Sequence, residues 1–76
     1  MKGGIYMPII LAPLNEELTI VRILVDEKLK KHLESLGITI NSKITVLSND
    51  QGGTICQVKE GRLALDSNIS RKILVA

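Results

Sequence analysis

Aromatic residues are almost missing from this 76-residue chain: Tyr6 is the only one, with no Trp and no Phe. Proline-rich peptides dock in aromatic-lined grooves, and single-stranded nucleic acids stack on aromatic platforms. A lone tyrosine near the N-terminus builds neither. Cysteine is nearly absent too. Cys56 stands alone, so no disulfide forms within the chain, and a reducing interior is the expected setting. Charge of one sign is lacking: ten Lys and Arg against eight Asp and Glu leave +2, too little for a nucleic-acid footprint. No apolar run is long. The longest, Met7 to Leu14, is broken by Pro8 and Pro13 and falls far short of the ~20 residues of a spanning helix. It also lacks an A-x-A cleavage site, so a secretory signal is not expected, and the expected location is the cytoplasm.

What is present is aliphatic. Ile, Leu and Val make up most of an apolar share of 45%. A domain this small buries only about 60% of its unfolded surface, so that aliphatic load must be well placed. The stretch Leu29 to Leu47 shows how it is placed. Leu29, Leu33 and Leu36 recur at helical spacing, Gly37 stands where a helix ends, and Ile38, Ile40, Ile44 and Val46 then alternate with polar residues. The hydrophobic period changes from 3.6 to 2 at one glycine, which predicts a helix followed at once by strand.

Extended to the whole chain, this reading predicts a flexible leader over residues 1–7 and a single domain over residues 8–76. Pro8–Leu11 reads as a short edge strand, because proline lacks the N–H of an interior position. Pro13–Glu17 is a turn and Leu18–Leu24 a strand, with Leu18, Ile20 and Arg22 on one side and Thr19, Val21 and Ile23 on the other. Asp26 is placed to cap a helix running to about Leu36. Asn41-Ser42 turns into strand Lys43–Leu47, Ser48–Gly53 is a hairpin loop, and Thr54–Lys59 returns with Cys56 and Val58 facing the core. Glu60-Gly61 turns again, Arg62–Leu65 is a strand, Asp66–Ser70 a short helical turn, and Ile73–Val75 the closing strand. The fold class is mainly β: a small, partly open barrel of five to six strands with one α-helix.

The order L-x-x-L-G-I (Leu33, Leu36, Gly37, Ile38), an I-x-V strand (Ile44, Val46), G-x-L-A-L (Gly61, Leu63, Ala64, Leu65) and a closing I-L-V (Ile73 to Val75) resembles the FeoA family. Pro13-Leu14 and the strand through Ile20 and Ile23 fit its opening segment. The resemblance implies an SH3-like barrel. It also implies an accessory or regulatory role in bacterial ferrous iron uptake at the cytosolic side of the iron permease FeoB. An SH3-like module of an iron-dependent transcriptional repressor, acting in trans, has a similar pattern and is the alternative. Where the family has glycine, this chain has Asn41 in the turn after the helix and Asn15-Glu16-Glu17 before the first long strand.

Candidate chemistry is sparse. His32, the only histidine, flanks the leucine stripe, and its possible co-ligands Cys56, Glu34 and Asp50 are scattered, so no metal site is expected. Cys56 reads as a small buried hydrophobe rather than a nucleophile. Gly52-Gly53 leads into a strand and therefore is no phosphate cradle. No catalytic residue and no cofactor are expected; iron enters only as the cargo of the pathway. The candidate partner-binding residues are Lys28, Lys30 and Lys31 on the outer side of the helix, and Ile55, expected to form an outward apolar patch with Val21 or Ile23. Association with the membrane would run through the permease, no nucleic-acid partner is expected, and the Pro8–Leu11 edge offers a route to homo-oligomers.

Overall fold

The computed structural model describes residues 6–76, and most of the expected leader, residues 1–7, lies outside them. Met7 is already in a strand. Six strands form one antiparallel sheet: β1 (Met7–Pro8), β2 (Glu17–Ile23), β3 (Lys43–Asp50), β4 (Gly53–Val58), β5 (Gly61–Leu65) and β6 (Ile73–Val75), in the order β1-β6-β2-β3-β4-β5. Helix α1 (Glu27–Ser35) crosses from β2 to β3, and one-turn helix α2 (Ser67–Ser70) precedes β6. The sheet curls around Ile9, Ile20, Leu33, Ile38, Ile44, Val46, Ile73 and Val75, all fully buried. This is the partly open barrel expected from the alternation, SH3-like as the family resemblance implies, and its two free edges are β1 and β5.

Helix α1 begins and ends where local chemistry dictates. The Asp26 carboxylate accepts from Leu29 N at 2.8 Å, satisfying one orphan donor of the first turn. At the other end Gly37 takes φ +97°, and the chain closes with Gly37 N donating to Glu34 O and Ile38 N to Leu33 O. That is the paired closure typical of a left-handed residue after a helix. Asn15 (φ +64°) and Asn41 (φ +75°) occupy the same left-handed region, which asparagine tolerates better than most residues.

Three departures from the sequence expectation stand out, and irregular pairing causes two of them. β1 stops at Pro8, and Ile9–Leu11 coil into a 3-10 turn that drives Ile9 into the core. In β2 the register against β6 slips by one residue between Ile20 and Arg22. A bulge of one residue inverts which side chains face inward. Ile23 is therefore buried beneath the sheet, 8% exposed, instead of lying outside with Val21, while Arg22 is exposed. A second slip in β3, between Val46 and Ser48, carries that strand on to Asp50, well past Leu47. Polar residues expected to form a loop instead pair with β4, and the hairpin turn shrinks to Gln51-Gly52, with Gly52 N bonded to Asp50 Oδ1 at 2.8 Å.

The second bulge has a structural use. It turns Asn49 inward, where Nδ2 donates to Ile10 O at 2.7 Å and to Ile9 O at 3.2 Å. Its Oδ1 accepts from Thr54 Oγ1 at 2.9 Å, and Thr54 Oγ1 in turn accepts from Ser70 Oγ at 2.8 Å. Asn49, with Thr54 as the relay, thus ties the N-terminal turn, the β3–β4 hairpin and α2 together. No buried side-chain polar atom among the described residues is left without a partner, as a core this small requires.

Candidate functional site

The chemistry-bearing residues do not converge. Cys56 is fully buried on the core face of β4, opposite Val46 and Leu63. Burial pushes its thiol up to about 11, away from the thiolate that a nucleophile or metal ligand requires. His32 lies exposed on α1. Among the described residues, no three His, Cys, Asp or Glu side chains gather where they could hold a metal ion. The interest of the molecule is therefore on its outside.

Helix α1 presents the first surface. Leu33 is buried and Leu29 half-buried, so the leucine stripe anchors the helix to the barrel. At 100° per residue Lys28 and Lys31 lie ~60° apart and face solvent, whereas Lys30 falls ~160° from Lys28. Lys30 is half-buried on the opposite flank. The three lysines thus do not form one patch. Lys28 instead shares a shallow depression with Asp26, Leu29 and His32. Just before the helix Leu24 leaves 49% of its surface exposed.

Ile55 belongs to a second surface. It projects outward from β4, 40% exposed, with Ala64 of β5 directly opposite. Its expected neighbour Ile23 is in the core, a consequence of the β2 bulge. On the β3 side the residue paired with Ile55 is Ser48, so strand β3 separates it from Val21. The depression beside it, ≈ 420 Å³, has Ile55, Ala64 and Leu65 as apolar lining, with Asp50 and Asp66 at its border. Periodicity marked Ile55 as outward; the acidic border and the Ala64 contact come from pairing that periodicity does not specify. No depression among those described is lined both by Ile55 and by the α1 lysines.

The sequence model of the FeoA domain matches residues 7–76, all six strands and both helices. The chain belongs to the FeoA family. Membership implies involvement in ferrous iron transport, and the FeoA domain is a non-catalytic accessory domain. Among solved structures, the crystal structure of an iron uptake regulatory protein, FeoA, superimposes with a TM-score of 0.83 at 24% identity, covering 93% of this chain and 96% of that one. The iron(II) transport protein A of Clostridium thermocellum gives 0.78 at 18% identity over 91% of this chain and 44% of that one. A manganese-dependent transcriptional repressor in complex with manganese gives 0.84 at 20% identity. It matches 99% of this chain, which spans only 38% of the repressor's length. At these identities the likeness is one of fold. No curated protein matches the chain. No helix among the described residues is long and apolar enough to cross a membrane.

Proposed function

We propose that this FeoA-family protein is an accessory or regulatory subunit of ferrous iron uptake, bound at the cytosolic side of a FeoB-type permease. The observation that carries the reading is the family match over residues 7–76, an intact FeoA domain. The outward face of α1 is the permease contact: Lys28 and Lys31 supply positive charge, and Leu24, just before the helix, is exposed. Charge of this kind steers association and fixes orientation more than it adds affinity. Lys30, half-buried on the other flank, plays a lesser part. The protein acts by contact, carries no cofactor and catalyses no reaction, and it stays near the inner face of the membrane only through its partner.

Co-purification with the cognate permease, read together with iron uptake after deletion of the gene, tests this. Association that is lost at high salt, with uptake reduced by the deletion, is expected. No association and unchanged uptake would exclude the reading. The fold shared with the manganese-dependent repressors supports one alternative, a module that contacts an iron-dependent repressor in trans. Co-purification with a repressor instead of with membranes would favour it.

A further inference from the structure

The two free edges of the sheet are treated very differently. β1 is two residues long and contains Pro8, and both features discourage pairing with another strand. β5 has neither protection. It runs five residues, Gly61–Leu65, without proline and pairs with β4 without a bulge. Among the described residues, no backbone hydrogen bond outside the β4–β5 ladder reaches it. The β4–β5 turn is two residues long, Lys59-Glu60, so Val58 and Gly61 form the closing hydrogen-bonded pair. Alternation along the ladder then directs Leu63 and Leu65 at β4, and leaves the N–H and C=O groups of Arg62 and Ala64 directed outward.

We propose that β5 pairs with β5 of a second copy of this chain, antiparallel about a two-fold axis centred on Ala64. Charge selects both the partner and the register. Three antiparallel registers set the outward groups of one β5 against those of another. Centring on Arg62 stacks two guanidinium groups, and centring on Leu63 opposes Glu60 to Asp66. Centring on Ala64 instead places Arg62 of each copy opposite Asp66 of the other, twice by symmetry. In that register the two Ala64 residues exchange N–H···O bonds. Around them Ile55 and Ala64 of both copies merge into one apolar seam, walled by the Asp66 that borders the depression beside them. The interface is isologous and closes on itself, so it yields a dimer and not a fibre. Neither Lys28 nor Lys31 lines the depression beside Ile55 and Ala64, so the surface assigned to the permease is distinct from this seam.

The full chain tests this by sedimentation velocity across the micromolar to millimolar range, with circular dichroism as the check on folding. A monomer–dimer equilibrium is expected. Ala64→Pro removes an outward N–H without touching the β4 ladder and should leave only monomer. Arg62→Glu should weaken the dimer about tenfold or more, since two favourable pairs become repulsive. Asp66→Asn removes the charge while its amide oxygen can still accept from Ile69 N and cap α2, and it should weaken the dimer in the same direction. Oxidation gives a readout independent of variant stability. Ala64→Cys lies across the axis at a Cα separation of ~5.5 Å and should form a covalent dimer. Arg62→Cys, ~13 Å from its own mate in this register, should not. A monomer throughout the concentration range, a dimer indifferent to Ala64→Pro, or crosslinking at Arg62→Cys in place of Ala64→Cys would overturn the proposal.

Discussion

Gly53 is, among the described glycines, the one the fold can least replace. Its φ is +143°, and a Cβ built there would stand 2.3 Å from the carbonyl oxygen of Leu65. That oxygen belongs to the neighbouring strand and cannot step aside. Gly53→Ala should therefore cost about 2 kcal/mol or more in urea denaturation, from strain and collision together. Gly61 makes a useful contrast: its φ of +131° strains any side chain, but nothing lies within 4 Å of its Cβ position. Cys56 gives a pH signature. Its thiol ionises near 9 in the unfolded chain and near 11 in the folded one. The unfolded state therefore loses its proton first as pH rises. The resulting stability is complete below pH 9 and is lost as pH climbs through 11, on the order of 2 kcal/mol. Denaturation curves between neutral pH and 11 should show this decline, and Cys56→Ala should flatten it.

At the scale of elements, Asn49 and Thr54 together act as a clasp between three segments that are otherwise distant in sequence. Asn49→Ala would strip the Ile10 carbonyl of its donor and Thr54 of its acceptor, while the Ile9 carbonyl keeps the Ala12 N–H. A loss of about 2–3 kcal/mol is expected. Faster amide exchange around Ala12, whose N–H closes the 3-10 turn onto Ile9 O, should accompany it. Asn49→Asp should do no better, because a carboxylate cannot donate to either carbonyl. Helix α1 is held differently, by a cap at each end and a single deeply buried leucine, Leu33. Asp26→Ala removes the side-chain cap and should lower stability by about 1 kcal/mol, measurable as a shift in thermal midpoint.

For the whole molecule, the expectation concerns recognition. Lys28→Glu combined with Lys31→Glu should leave the thermal midpoint nearly unchanged, as exposed substitutions away from special features do. The same pair should weaken capture by the permease about tenfold and flatten its salt dependence. Lys30→Glu should have the smaller effect on capture, because its flank of the helix is half-buried. Equal effects from Lys30 and from the Lys28–Lys31 pair would mean that the partner grips α1 end-on or not at all. The comparison separates a docking face from a merely solvated run of charge.

Local chemistry written in single residues determined much of this protein. Asp26, Gly37, Asn41 and Asp66 set the ends of helices and the sharp turn, each through one backbone conformation or one hydrogen bond. The alternation around Cys56 and Val58 placed β4 on the core without further help. Tertiary structure alone decided where strands slip. A bulge arises from pairing with a distant strand, so nothing within Leu18–Leu24 announces that Ile23 turns inward, and nothing near Ser48 shows that Asn49 will meet Ile9 and Ile10. The same is true of the exposed β5 edge, since an edge is defined by the strand order of the whole sheet and not by the residues that form it.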